Sequence, residues 1–221
     1  MAAAAIICNG DFPKKEFPLY LLRTADRIVC CDGALKSYLR FCRNETGGFR
    51  KPDAVIGDLD SLPQKLAVEY QDIVIHIAEQ ETNDQTKAFH YVLEHFPEVD
   101  SIHILGATGK REAHTIGNLS LLMEYAKELK ESGREDIRID MISDRSTAFA
   151  VTDSCSLAVG EGRPVSIFSP DNSLKIKSKG LHWPTDNVVF DNWWKATLNR
   201  ADSDTVELEF SHPSSVLVVL D

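Results

Sequence analysis

The sequence predicts an α/β domain, a largely parallel sheet with flanking helices, followed by a C-terminal all-β sandwich. Two observations predict it. Over the first two thirds of the 221 residues, short β-branched runs alternate with helical patterns, and such alternation builds a parallel sheet covered by helices. After Ser143 the helical patterns stop, and short apolar runs recur between Gly, Pro, Asn and Asp, the pattern of a small β-sandwich.

In the first unit, assigned to residues 1–143, the strands expected in order are Ala4–Cys8, Ile28–Cys31, Ala54–Ile56, Ile73–Ile77, Ile102–Leu105 and Ile137–Ile142. Between them Leu35–Cys42, Pro63–Tyr70, Gln85–Phe96 and His114–Glu131 read as helices. The last carries an apolar stripe through Ile116, Leu119, Leu122, Met123, Ala126 and Leu129, and Gly133 closes it. In the second unit, 144–221, the expected strands are Ala148–Thr152, Pro164–Phe168, Leu174–Ser178, Asn187–Phe190, Trp193–Leu198, Thr205–Phe210 and Val216–Leu220.

Composition narrows the function. With 43% hydrophobic and 26% charged residues the chain is an ordinary globular protein, and its formal charge of −10 opposes binding to nucleic acid or an anionic membrane. No stretch approaches the roughly 18 apolar residues of a membrane helix. Met1–Cys8 is apolar but short and lacks a basic start, so it reads as a strand and not a signal peptide. The five cysteines, Cys8, Cys30, Cys31, Cys42 and Cys155, are odd in number and show no zinc spacing. This usage fits a reducing cytoplasm.

Ligands of parallel sheets bind beyond the carboxyl ends of the strands, and this sequence concentrates its chemistry there. Gly57-Asp58-Leu59-Asp60-Ser61 follows one strand. If strand geometry continues, Asp58 and Asp60 point the same way. Two such carboxylates repel unless a cation lies between them, and Mg²⁺ favours a few carboxylates with substrate phosphates. An acidic turn ahead of a helix accounts for the same residues. Asp84-Gln85-Thr86-Lys87 opens the next helix, with Lys87 one turn from Asp84; Asp84 alone also reads as an N-cap. Asp32-Gly33 follows a third strand. Gly106-Ala107-Thr108-Gly109-Lys110-Arg111 follows a fourth and leads into the longest helix, where glycines and free N–H groups suit phosphate. His114 and Asn118 share a helix face with Arg111 if the helix already runs through it. In the tail, Gly180-Leu181-His182-Trp183 places a Trp at a glycine turn, either as core filling or as a plate for a flat heterocycle.

In order, spacing and chemistry these segments resemble the thiamine pyrophosphokinase family. The resemblance is carried by Cys31-Asp32-Gly33, Pro52 through Ser61, Asn83 through Lys87 and Gly106 through Asn118, and in the tail by Gly180–Trp183 and Ala196-Thr197-Leu198-Asn199. It implies transfer of pyrophosphate from ATP to the thiamine hydroxyl, with Mg²⁺ held by Asp58, Asp60 and Asp84 and with Asp32 in the same acidic pocket. Asp32, Gly33, Lys87, Gly109, Arg111 and His114 are expected on the ATP side, and Asp32, Asp58, Asp60, Asp84, Lys87 and Arg111 at the chemistry. Gln80, Ser178, Trp183 and Asn199 are expected around thiamine, with a homodimer sharing its sites between subunits. Two places depart from the family pattern. Ala34 and Lys36 stand where the family has a second glycine and an Asn, and Ala113 stands where it has an acid two residues after the Arg. The alternatives are a Mg²⁺-dependent phosphohydrolase, a pyrophosphokinase for another alcohol such as a pterin, and a non-catalytic thiamine or nucleotide sensor.

Overall fold

The computed structural model describes residues 2–45 and 50–221. Two compact units are present, residues 1–118 with 136–144 and residues 119–135 with 145–221.

The first unit is a parallel sheet of six strands: β1 (Ala2–Ile7), β2 (Arg27–Cys31), β3 (Ala54–Gly57), β4 (Val74–His76), β5 (Val99–Leu105) and β6 (Arg138–Ile142). Their spatial order is β6-β5-β1-β2-β3-β4, and each neighbouring pair is parallel. The order reverses direction around β1, so the crevice at its carboxyl end lies between diverging crossovers. Helices α1 (Glu16–Thr24), α2 (Ala34–Asn44), α3 (Gln64–Glu69), α4 (Asp84–His95) and α5 (Glu112–Glu131) follow in chain order.

The sheet buries both faces, which is why its strands read as continuous apolar runs. Ala5, Ile7, Ile28, Cys30 and Val55 cluster with Leu22 of α1 and Leu35 and Tyr38 of α2. Residues on alternate positions point to the opposite face, where α4 contacts β1, β2 and β3 and buries Ala88, Phe89 and Val92. Ala4 and Ala5, fully buried in β1, leave room for close packing. Among the described residues no helix is long and apolar enough to cross a membrane.

The second unit holds two antiparallel sheets. One is ordered β11-β9-β13-β7, from β7 (Thr147–Val151), β9 (Pro164–Phe168), β11 (Ala196–Arg200) and β13 (Val216–Leu220). The other is β10-β12-β8, from β8 (Cys155–Ala158), β10 (Ile176–Lys179) and β12 (Thr205–Phe210). Val165, Ile167, Ile176, Val206, Leu208, Val216 and Val218 form a shared core, with burial alternating strictly along β12 as a two-sheet sandwich requires.

Some elements differ from expectation. Helix α1 is additional to the expected helices, and it tolerates Pro18 because that residue lies in the first turn, where the missing N–H has no partner to lose. Strand β8, four residues long, is additional to the expected strands. Asn187–Phe190 is not a strand, and Trp193–Lys195 forms a single 3-10 turn ahead of β11. Its N-cap Asn192 accepts the Trp194 N–H.

Candidate active site

The carboxyl ends of β1, β2, β3 and β5 and the start of α4 surround a cleft of about 830 Å³. Asp32, Asp58, Asp60, Gln80, Asp84, Lys87, Gly109, Arg111 and His114 all line it, joined by Asn9, Gly10, Ser61, Asn83, Lys110 and Asn118.

One carboxylate oxygen from each of Asp32, Asp58 and Asp60 lies within 4.8 Å of the others, the group of metal-ligand type found among the described residues. Continued strand alternation is not what brings Asp58 and Asp60 together. Strand β3 stops at Gly57, and Leu59 takes a left-handed backbone, φ 67°, strain of a kind concentrated at functional sites. The bend lets the Asp60 N–H donate to Asp58 Oδ1 at 3.2 Å. Gln80 Nε2 donates to Asp58 Oδ2 at 3.1 Å. That bond, with the Asp60 N–H, holds the Asp58 carboxyl below its ordinary range.

Asp32 also has a left-handed backbone, φ 41°. Its Oδ2 accepts the Ser61 N–H at 2.9 Å, whereas Oδ1 is buried with no hydrogen-bond partner among the described residues. Burial is the main reason its carboxyl is pushed up. A buried carboxylate oxygen without a donor is costly, and the Asp32 carboxylate stands beside the other two acids. This donor set fits a hard divalent cation with oxygen ligands.

Asp84 is not the cap of α4. Asn83 is, its side chain accepting the Thr86 N–H at 3.0 Å, so the Asp84 carboxylate is left for the cleft. Burial first, then the neighbouring acids, push Asp84 up, while Lys87 pulls it down. Gly57 makes this crowding feasible, since a Cβ there would lie 2.9 Å from the Cβ of Asp32 and 3.0 Å from Asp84 Oδ1.

On the opposite wall, Gly106 and Gly109 adopt positive φ, 65° and 77°, and Lys110 Nζ donates to the Asn9 carbonyl at 2.8 Å. Helix α5 begins at Glu112, with the Arg111 carbonyl accepting the Thr115 N–H at 3.1 Å. Arg111 therefore stands at the cap, just outside the helix. Its guanidinium meets His114 Nδ1 at 3.3 Å. Beneath the cleft, the Cys8 and Cys31 sulfurs are 3.8 Å apart, and this contact and burial keep the Cys31 thiol well above its usual range.

Of the other four expected residues, Gly33 does not line this cleft but stands at the N-cap of α2 beside Asp32, and Ser178, Trp183 and Asn199 lie together in the second unit. Trp183 is 57% exposed and meets His182 edge-on at 4.6 Å. Asn199 is buried, its Oδ1 accepting the Trp183 N–H at 3.1 Å and its Nδ2 donating to the Trp183 carbonyl at 2.7 Å. Ser178 Oγ accepts the Thr185 N–H at 2.9 Å. Both polar side chains thus brace the turn that presents the indole.

A profile of the thiamin pyrophosphokinase catalytic domain matches residues 19–132, and one of the thiamin pyrophosphokinase substrate-binding domain matches residues 147–218. The chain belongs to the thiamin pyrophosphokinase family. A curated relative is thiamine pyrophosphokinase 1 of Oryza sativa subsp. japonica, 25% identical over 173 residues, which are 72% of this chain and 62% of that one. The chain thus spans less than two thirds of that relative's length. Among solved structures, the thiamin pyrophosphokinase of Geobacillus thermodenitrificans is 20% identical with a TM-score of 0.75, over 99% of this chain and 97% of that one. The yeast thiamin pyrophosphokinase is 16% identical with a TM-score of 0.74, over 99% and 86%. At these identities the structures speak for the fold.

Asn9 and Gly10 stand outside every motif of the sequence, whereas Ser61, Asn83 and Lys110 belong to the motifs without an expected role of their own. Asn9 and Gly10 lie just past the end of β1, after Cys8, so the strand-end rule applied to the other strands points to them as well. They carry no charge, unlike Asp32, Asp58 and Arg111 at the other strand ends.

Proposed function

We propose that this protein is a thiamine diphosphokinase. The thiamine hydroxyl oxygen attacks the β-phosphorus of ATP, the bond from that phosphorus to the α-phosphate bridging oxygen breaks, AMP leaves, and the hydroxyl proton is released. The observation that carries the reading is the Asp32–Asp58–Asp60 group at the strand ends, facing a glycine turn with Arg111 across one cleft, in a chain whose two parts both match this family.

Mg²⁺, held by Asp58 and Asp60 with Asp32 and Asp84 beside them, would neutralise charge on the transferring phosphates. The protein's own contribution is positioning and fixed charge. Gly109 leaves its backbone open to a phosphate, and Arg111, steered by His114, offers a planar fork. Lys87, held among the acids, adds a point charge, and Gly33 borders the nucleotide next to Asp32. The hydroxyl proton has two candidate acceptors, the carboxylates of Asp84 and Asp32, both raised by burial.

For thiamine, Gln80 supplies an amide at the cleft, and Trp183 supplies an exposed ring face for stacking. Ser178 and Asn199 hold the Trp183 turn in place. In this reading the active protein is a cytoplasmic homodimer, and the Trp183 face of one subunit completes the cleft of the other.

The test is to incubate the purified protein with thiamine and Mg-ATP and to identify products by mass. Thiamine diphosphate with equimolar AMP supports the reading. ADP with thiamine monophosphate, or inorganic phosphate with thiamine untouched, overturns it in favour of another kinase or a phosphohydrolase. Thiamine binding without turnover makes the protein a sensor.

A further inference from the structure

Asn83 uses both ends of its amide. Its Oδ1 caps α4 by accepting the Thr86 N–H at 3.0 Å, and its Nδ2 donates to Asn118 Oδ1 at 3.0 Å. Asn118 carries the connection onward. Its Nδ2 donates to the Ala107 carbonyl at 2.8 Å, and its main-chain carbonyl accepts from Gln85 Nε2 at 3.2 Å. Ala107 belongs to the glycine turn that leads to Gly109 and Arg111, while Asn83 and Gln85 flank Asp84. Two segments that meet only in the folded protein, one with the acid and the lysine and one with the phosphate-type turn, are thus joined by two amide side chains. An amide has one donor end and one acceptor end. Each asparagine therefore has to be oriented one way, and the pair sets spacing without adding charge to an already acidic cleft.

We infer that the Asn83–Asn118 pair is a positioning device that keeps Asp84 and Lys87 in register with the Gly106–Arg111 turn during pyrophosphoryl transfer. The kinetic side of this inference rests on the proposed function. In-line transfer needs both sides of the cleft aligned at once, and a misplacement of about 1 Å can cost on the order of 10²-fold in rate. The pair acts through Asp84, Lys87 and Arg111, so its loss lowers kcat while the KM values for ATP and thiamine change little.

A plain capping role is separable from this one. Serine at position 83 retains an oxygen for the Thr86 N–H, and serine caps about as well as asparagine, but it has no donor to reach Asn118. The experiment compares wild type, Asn83→Ser, Asn118→Ala and the double variant for kcat, KM, thermal midpoint and amide hydrogen exchange over Ala107–Arg111. Asn83→Ser is expected to melt with wild type, to lose about tenfold in kcat and to exchange faster in the turn. The double variant is expected to be no slower than Asn118→Ala, because both substitutions break one link. Wild-type kcat and unchanged exchange in Asn83→Ser overturn the inference, and so do losses that multiply in the double variant. Should the wild type make no thiamine diphosphate, the proposed function falls, and the exchange data still decide whether Asn83 holds the turn.

Discussion

Asp84 Oδ1 lies 3.7 Å from the Lys87 ammonium one helical turn on, and that ammonium also donates to the Ile77 carbonyl at 3.1 Å. The Lys87 side chain is only 4% exposed, so a buried cation ties the residue after β4 to the head of α4 and faces the acids of the cleft. Its removal leaves the Ile77 carbonyl without that donor and Asp84 without its nearest counter-charge. Lys87→Met is expected to lose about 1–3 kcal/mol of stability and on the order of 10²–10³-fold in kcat. Denaturant melts and steady-state rates check both, and a Lys87→Met enzyme with wild-type kcat removes Lys87 from the reaction.

Gly57 makes a separate claim about crowding. A methyl group there meets the Asp32 Cβ at 2.9 Å and the Asp84 carboxylate at 3.0 Å, so one of the two acids has to move. Gly57→Ala is expected to fold with a cost of about 1–3 kcal/mol and to need far more Mg²⁺ for half-maximal rate. Calorimetric Mg²⁺ titration against wild type is the measurement, and an unchanged Mg²⁺ requirement shows that the acids do not depend on this approach.

Much of this site is legible from strand-end position alone. Asp32, Asp58, Asp60, Asp84 and Arg111 all line one cleft because alternating strands and helices deliver successive loops to the same edge. The local geometry is not legible in that way. Nothing in the residue types announces the left-handed turn at Leu59 that brings Asp58 to Asp60, since leucine is a poor choice for positive φ. The Asn83–Asn118 bond spans 35 residues and follows from the tertiary fold, which no local pattern encodes. In the second unit the apolar run around Val188 resembles a strand, yet that segment supplies no strand and packs Phe190 and Val188 against the core instead.

Asp171 predicts a pH dependence confined to the second unit. Its Oδ1 accepts from the Ser173 hydroxyl at 2.6 Å and the Ser173 N–H at 2.9 Å, and Oδ2 accepts from His212 Nε2 at 2.8 Å and the Ser214 hydroxyl at 3.0 Å. The Ser173 hydroxyl, followed by His212, holds this carboxyl far below its ordinary range. A depressed folded value contributes stability above the unfolded pKa of about 3.9, and that contribution fades as pH falls through the folded value. Asp171→Asn is therefore expected to melt below wild type at pH 7, with the gap closing only below about pH 4. Thermal melts from neutral to strongly acid pH test this, and a gap that is constant across the range would mean the ionised carboxylate is not what stabilises the turn.

Trp183 is exposed while its backbone is clamped on both sides by Asn199, an arrangement that fixes a ring at the surface. Trp183→Ala is expected to leave the fold intact and to weaken thiamine binding by about 1 kcal/mol, several-fold in Kd. Trp193 and Trp194 are also exposed and mask a fluorescence signal, so calorimetry on the folded variant decides. An unchanged Kd assigns Trp183 to some other contact.

Ala113 stands where the family pattern has a carboxylate, and the structure places it in the first turn of α5, two residues beyond Arg111. Alanine cannot steer a guanidinium. In this chain the exposed Arg111 side chain is met by His114 Nδ1 at 3.3 Å. Glu112 does not replace the acid, because adjacent helical residues point about 100° apart. A carboxylate at 113 would hold the Arg111 fork more firmly and would also suit the helix N-terminus, worth about 0.3–1 kcal/mol. Ala113→Asp is therefore expected to raise the thermal midpoint slightly and to raise kcat at saturating Mg-ATP, with the thiamine KM unchanged. His114→Ala is expected to lower kcat, and Ala113→Asp added to it to recover part of the loss, since both side chains serve one guanidinium. Rates of the four proteins at saturating substrate settle the matter: an equal or lower kcat in Ala113→Asp, with no recovery in the His114→Ala background, means that Arg111 needs no carboxylate here and that His114 alone is sufficient.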